Sequence, residues 1–157
     1  MTIIKATLIA SLLSVSGLVV ADEFRCLHEQ DTAPPLNQQA EQWFQQGRSI
    51  SKEHPANWTE VARLYQQAVA IDHWKAMHNL AELYLRGDGV LKDTNKAIDL
   101  YMRMVDLKVP LGYYDMSVMT QRGVGVVQSD KDAMLFLVKA ADLGSPQAQT
   151  RIGYIYL

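Results

Sequence analysis

Cysteine is almost absent from this 157-residue sequence, and acidic residues slightly outnumber basic ones. The single cysteine, Cys26, cannot form a disulfide within the chain, so the fold must be stabilised by packing. We expect Cys26 to be a buried thiol, with an intermolecular disulfide and a reactive thiol as the alternatives. The formal net charge of −2 argues against a nucleic-acid-binding protein, because such proteins carry a basic surface.

Motifs for common catalytic and cofactor chemistry are also missing. The sequence has no Gly-x-Ser-x-Gly nucleophile motif. The segments 87–89 and 123–125 contain Gly-x-Gly but lack the lysine and hydroxyl residue of a phosphate-binding loop, so we expect them to end helices. Cys26 and His28 could contribute to a metal site, but no second Cys/His pair completes it, and His73 and His78 are predicted to point to different helix faces. The sequence therefore predicts no enzyme, no bound metal and no cofactor.

A long apolar run occurs only at the N-terminus. Lys5 precedes an uncharged run from Ala6 to Val20, and Val19-Val20-Ala21 has the compact residues of a cleavage site. This pattern is typical of a secretory signal peptide cleaved after Ala21. An uncleaved anchor is the alternative, but the run has about 15 apolar-type residues and a membrane-spanning helix needs about 20. No later segment is long or apolar enough to cross a membrane, so we expect export without stable membrane insertion.

The rest of the sequence repeats its apolar pattern at a shift of 36 residues. Five columns of apolar residues coincide in three copies, at the three-, four-, seven- and eight-residue spacings of a single helix face. We name this predicted element helix A. Its columns are Val61, Ala97 and Ala133; Leu64, Leu100 and Phe136; Tyr65, Tyr101 and Leu137; Ala68, Met104 and Ala140; and Val69, Val105 and Ala141.

A second set of columns predicts a partner element, helix B. It contains Ala76, Gly112 and Ala148, then Leu80, Met116 and Ile152, then the small residues Ala81, Ser117 and Gly153, which suit close helix contact. The residues at the predicted helix ends repeat as well. They are the N-caps Asn57, Asp93 and Ser129, with Glu60 suggesting a capping box; the first-turn prolines Pro110 and Pro146; and the helix-ending glycines Gly87 and Gly123.

These columns predict an all-α solenoid of antiparallel helix pairs. Ala40 and Phe44 continue the register upstream, which predicts a lone helix that caps the array. The apolar residues from Ile152 to Leu157 predict either further helices or contact with a partner, since a terminal repeat needs a polar outer face. The predicted organisation is a signal peptide at 1–21, an extended lead-in at 22–36, a capping helix and loop at 37–56, and repeats at 57–92, 93–128 and 129–157, the last incomplete.

The repeat resembles the Sel1-like family. The matching text is Leu80-Ala81-Glu82-Leu83-Tyr84, Gly87-Asp88-Gly89-Val90 with Asp93, Lys139-Ala140-Ala141-Asp142-Leu143-Gly144 and Ile152-Gly153-Tyr154-Ile155-Tyr156. The related tetratricopeptide class has a 34-residue period, and the unbroken 36-residue shift favours Sel1. Repeat two departs from the pattern at Met104-Val105, Met116-Ser117 and Thr120, so we expect its helices to pack differently. The resemblance implies a protein that binds other proteins on a concave surface.

A narrower resemblance rests on the lead-in and on repeat two. The segments Phe24 to Glu29, Pro34-Pro35-Leu36, Trp43-Phe44 and Pro110 to Met116 are similar to a group of exported proteobacterial Sel1 proteins. Some members of that group look like immunity proteins against toxins delivered by type VI secretion. The resemblance therefore implies a periplasmic immunity protein whose partner is a secreted toxin. The alternative is a periplasmic adaptor or regulator that tethers envelope proteins.

The outward positions of helix A are the first candidate partner surface. They mix apolar and charged side chains, as the core and rim of an interface do. Leu135 and Val138 could instead be covered by a further helix. The candidate residues are Arg63, Asp99 and Leu135; Gln66, Met102 and Val138; and Gln67, Arg103 and Lys139.

Tyr113 and Tyr114 are the second candidate, because two large rings occur at their columns in one repeat only. Tyrosine is favoured at interface centres, so the pair could anchor a partner. Core filling is the alternative.

Overall fold

The computed structural model describes residues 33–155, which form helices and connecting turns without a strand. The helices are α1 (Gln38–Ile50), α2 (Trp58–Val69), α3 (Trp74–Arg86), α4 (Thr94–Asp106), α5 (Pro110–Arg122), α6 (Asp130–Asp142) and α7 (Pro146–Ile155). The predicted all-α fold is confirmed, with α2, α4 and α6 as helices A and α3, α5 and α7 as helices B. The signal peptide, most of the lead-in, Cys26, Tyr156 and Leu157 lie outside the described residues.

Side-chain caps fix the start of each helix A. Asn57 Oδ1 accepts from the Glu60 N–H at 3.2 Å, and Asp93 Oδ1 accepts from the Lys96 N–H at 3.1 Å. Ser129 Oγ accepts from the Asp132 N–H at 3.1 Å. Each bond satisfies a backbone donor that the first helical turn leaves without a partner.

The capping box predicted at Glu60 is only half present. Its backbone is capped by Asn57, but its carboxylate accepts hydrogen bonds from the Arg63 guanidinium at 2.6 and 2.7 Å. The predicted first-turn prolines are confirmed, because Pro110 and Pro146 are the first residues of α5 and α7.

Glycines end the first two helices B as predicted. Gly87 and Gly123 have φ angles of 83° and 65°, the left-handed region in which a side chain would be strained. Gly89, two residues further on, lies so close to α2 that a Cβ would be 2.1 Å from the carbonyl oxygen of Trp58. Glycine is therefore required there for a loop to pack on the preceding helix A.

Each helix packs mainly on its neighbours in the sequence, from α1 on α2 to α6 on α7. One core cluster extends from Phe44 in α1 to Met119 in α5, and a second, smaller cluster surrounds Leu137. This neighbour-on-neighbour packing is the arrangement of a solenoid.

The capping helix α1 is joined to α3 by a buried histidine. His73 precedes α3, and its Nδ1 accepts from the Ala76 N–H at 3.1 Å. Its Nε2 lies 2.9 Å from the Glu41 carboxylate of α1, and the Phe44 ring lies beside it at a centroid distance of 4.8 Å. Because Nδ1 must accept, the proton resides on Nε2 and is donated to Glu41.

The small-residue column of helix B predicts close helix contact at Gly153, and this prediction is wrong, because a Cβ at Gly153 would meet nothing within 4 Å. Ala81 and Ser117 are buried. The helix-A columns are also unequal, because Leu64 is fully buried while Leu100 and Phe136 are half-buried. The repeat position determines the helix face on which a side chain lies, and the neighbouring helices determine how deeply that side chain is buried.

Between residues 33 and 155, no helix has the length and apolar character needed to cross a bilayer.

Candidate functional site

The nine outward positions of helix A lie on the surface, and together we call them the helix-A face. The apolar members are well exposed, with 37% of Met102, 62% of Leu135 and 42% of Val138 accessible. Gln67 and Arg103 are half-buried, while Arg63, Gln66, Asp99 and Lys139 are exposed. The face thus has no apolar residue in α2, one in α4 and two in α6.

Positions equivalent to Leu135 and Val138 are exposed even where further helix pairs follow in the array. Their equivalents Arg63 and Gln66 in α2 are exposed, although further helix pairs follow α2. Asp99 in α4 is exposed as well, although α6 and α7 follow it. A following helix pair does not cover these columns, which disfavours the idea that a further helix would bury Leu135 and Val138.

Hydrogen bonds orient the charged members of the face. Arg63 Nη1 donates to Gln67 Oε1 at 3.0 Å, in addition to its ion pair with Glu60. Arg103 bridges to the turn after α2, where its Nη2 lies 2.6 Å from Asp72 Oδ1. These are surface pairs that contribute little to stability, so their main effect is to hold the guanidinium groups in place.

A pocket of about 360 Å³ opens between α2 and α4, with α3 as its floor. Gln66 and Asp99 form part of its rim. Gln66 Nε2 donates to the Tyr84 hydroxyl at 3.3 Å, and the Lys96 ammonium lies 5.3 Å from the centroid of the Tyr84 ring. The pocket combines an apolar floor with polar groups of both signs, which suits a side chain of a protein partner.

The two candidate tyrosines have separate environments. Tyr113 packs toward the Phe136 ring of α6, with centroids 6.5 Å apart, and contributes to the second core cluster. Tyr114 also contacts that cluster, but it lines an open groove with residues of α7. Neither tyrosine lines the pocket of Gln66 and Asp99. The candidates therefore fall on the helix-A face and on a groove between two helices B.

A buried polar cluster joins α3, α4 and α5, and the sequence analysis did not identify it. His78 Nδ1 lies 2.7 Å from Asp115 Oδ2, and the Tyr101 hydroxyl donates to Glu82 Oε1 at 2.8 Å. Burial raises the pKa of Asp115, opposed by the hydrogen bond from His78. Burial also raises the pKa of Tyr101, which therefore stays protonated.

The two most buried members of this cluster are Asp115 and Tyr101, whose side chains are almost inaccessible to solvent. One feature of the sequence could have indicated this cluster. Asn79, Asp115 and Arg151 occupy the same repeat position, and the charge at that position changes from repeat to repeat. Within residues 33–155, no three His, Cys, Asp or Glu side chains are grouped so that they could hold a metal ion.

Comparison with known proteins agrees with this architecture. The Sel1 repeat family matches residues 74–107, 110–145 and 146–157. The chain belongs to the Sel1 repeat family. Each matched segment begins at the first residue of a helix B, so the family frame has the same period as the 57–92 and 93–128 repeats but a different starting point.

Solved structures of immunity proteins resemble this Sel1 repeat chain in fold and sequence. Immunity protein Pa5087 from Pseudomonas aeruginosa is 43% identical, with a TM-score of 0.71 over 85% of this chain and 52% of that one. Immunity protein PA5088 from the same organism is 44% identical, with a TM-score of 0.70 over 85% of this chain and 50% of that one. This chain therefore spans about half the length of these relatives.

A Sel1 repeat protein from Oxalobacter formigenes shares the fold. It is 24% identical, with a TM-score of 0.67 over 74% of this chain and 49% of that one. No curated protein matches the sequence.

Proposed function

We propose that this Sel1 repeat protein is an exported, periplasmic immunity protein that binds a secreted toxin and has no catalytic activity of its own. The observation that carries the proposal is its identity of 43% and 44% with two immunity proteins of Pseudomonas aeruginosa. The sequence pattern of a signal peptide cleaved after Ala21 supports the periplasmic location. The partner is expected to be a toxin delivered by type VI secretion.

The helix-A face is the proposed toxin-binding surface. Met102, Leu135 and Val138 supply exposed apolar area, and Arg103 and Lys139 supply charge beside it. An interface needs an apolar centre that excludes water and a polar rim that gives orientation. The pocket between α2 and α4 adds a concave site next to this face.

The test changes the centre of the face without disturbing the fold. Met102→Asp replaces an apolar side chain with an acidic one, and Arg103→Glu reverses a charge. Because both side chains lie at the surface, the melting temperature should change little. Binding to a secreted toxin found encoded beside the gene should fall at least a hundredfold, because an apolar contact and a charge pair are lost together. Calorimetry with the purified proteins measures this, and survival of cells that express the toxin in the periplasm measures protection.

A matched control is the pair Leu91→Asp and Lys92→Glu. These residues lie in the loop after α3, where Leu91 is 90% exposed, and they make the same kinds of change away from the helix-A face. The control should bind and protect like the wild type. If the wild type fails to protect, the immunity proposal is wrong. Stable binding to an envelope protein without protection would favour the adaptor alternative.

A further inference from the structure

The repeat places equivalent side chains at two successive contacts between helices B. In the contact of α3 with α5, His78 and Asp115 form a pair 2.7 Å apart, and only 11% of the Asp115 side chain is accessible. A shift of 36 residues converts His78 to Tyr114 and Asp115 to Arg151 in the contact of α5 with α7. The contact of α3 with α5 therefore contains a histidine paired with an aspartate. The contact of α5 with α7 has a tyrosine and an arginine at the equivalent positions.

The second contact borders an open groove. Tyr114 and Arg151 line a groove of about 530 Å³ together with Pro146, Gln147, Thr150 and Tyr154. Among the described residues that line the groove, Arg151 is the one that carries a charge. Tyr154 is 78% exposed at the far end. The described lining therefore consists of one arginine, two tyrosines, two uncharged polar residues and a proline.

The charge of Arg151 is not neutralised within the described part of the chain. Its Nη2 donates to the side-chain carbonyl of Gln121, which has no net charge. Asp130 borders the neighbouring cavity that Arg151 also lines, but none of the ion pairs formed by residues 33–155 includes Arg151. A half-buried guanidinium with only a neutral partner gains most from an added carboxylate.

The remaining groups of the groove favour the same kind of occupant. Pro146 and Gln147 belong to the first turn of α7, so the positive end of that helix lies at the groove. The planar guanidinium of Arg151 can bind a carboxylate through two parallel hydrogen bonds. Tyr114 and Tyr154 offer hydroxyl donors and flat apolar surface for the neighbouring atoms of a peptide.

We propose that the groove between α5 and α7 binds an acidic side chain, Asp or Glu, from a segment of a protein partner, with Arg151 as its counter-ion. This site is distinct from the helix-A face. It rests on the proposed function only in that the partner is a protein. Tyr114 thus acts in partner binding through this groove, while Tyr113 serves the core.

The test uses the full chain labelled with ¹⁵N and a hexaglutamate peptide as the probe. Amide signals of Tyr114, Thr150, Arg151 and Tyr154 should shift on addition of the peptide, and hexaglutamine should shift them much less. Arg151→Gln should weaken the peptide at least tenfold, because a charge-assisted bidentate contact is lost. The matched control, Arg122→Gln, removes an exposed arginine of α5 that is not part of the groove lining and should bind like the wild type.

Several outcomes would overturn the proposal. They are equal binding of hexaglutamine, unchanged affinity of Arg151→Gln, and displacement of the peptide by an equal concentration of inorganic phosphate, which would indicate a simple anion site. If Arg151→Gln lowers the helical content, Tyr154→Ala provides the second variant and should weaken the peptide severalfold. The Met102→Asp and Arg103→Glu variant should bind hexaglutamate normally, so failure of the toxin proposal and failure of this one are separable.

Discussion

The first helix pair, α2 and α3, and the third, α6 and α7, share one sequence pattern but differ in their cores. Leu64 in α2 is fully buried, whereas its equivalent Phe136 in α6 is half-buried. The first pair lies between α1 and α4, while the third has a packed neighbour, α5, on one side among the described residues. The comparison teaches that the repeat specifies which way a residue points, and that neighbouring pairs supply the burial.

The largest effect should come from shortening the same column in the two pairs. Leu64→Ala removes fully buried methyl groups and should lower the free energy of unfolding by about 3 kcal/mol. Phe136→Ala removes a larger side chain but should cost less, about 1–2 kcal/mol, because Phe136 is only partly buried in the folded chain. Urea unfolding followed by circular dichroism measures both. A larger loss for Phe136→Ala would mean that the third pair is packed as tightly as the first.

A smaller effect separates two helical glycines. A Cβ at Gly112 would lie 2.5 Å from the Met104 Cβ and 3.0 Å from the Met104 carbonyl carbon, so Gly112→Ala should destabilise by about 1–3 kcal/mol. Gly153→Ala meets open space and should instead stabilise by up to about 1 kcal/mol, since alanine favours the helix. Melting temperatures of the two variants should therefore move in opposite directions. Stabilisation by Gly112→Ala would contradict the close approach of α4 and α5 at that residue, and destabilisation by Gly153→Ala would contradict the open space at Gly153.

The smallest effect concerns the polar cluster that joins the first two repeats. Because burial raises the pKa of Asp115, the folded chain takes up this proton at a higher pH than the unfolded chain does. In a chain that carries His78→Gln, stability with Asp115 should therefore rise relative to stability with Asp115→Asn as the pH falls through the folded pKa of Asp115 toward its usual value, 3.8. The other ionisable side chains beside Asp115 in the cluster are His78, which is hydrogen-bonded to it, and Glu82, which accepts a hydrogen bond from Tyr101.

The measurement compares urea unfolding of the two proteins at several pH values. Both carry His78→Gln, which removes the titration of the histidine. A difference that stays constant from neutral to acidic pH would show that Asp115 titrates normally in the folded chain.

Most of the fold could be predicted from the sequence because helix periodicity, caps and breaking residues coincide in the repeat. Asn57, Asp93 and Ser129 cap the helices A, and Gly87 and Gly123 end the first two helices B, as the 36-residue register required. The depth of burial could not be predicted. It depends on which helices lie on each side, and a periodic pattern contains no information about them.

For the candidate surface, the sequence could predict only which helix-A positions face outward. The nine helix-A positions are exposed or half-buried, as expected from the columns that remain once the apolar stripe is assigned. The polar pairs His73 with Glu41 and His78 with Asp115 could not be predicted, because their members are 32 and 37 residues apart. Such pairs depend on side-chain geometry between helices, which alignment of one repeat on the next does not describe.

The packing of each helix on its neighbours in the sequence has a consequence for how this molecule can change. A unit of 36 residues could be added or removed with only its two adjoining contacts to rebuild. The length of the exposed face would then change in whole steps, while the remaining units kept their shape. Recognition of a larger or smaller protein could therefore be altered by the number of units as well as by individual side chains.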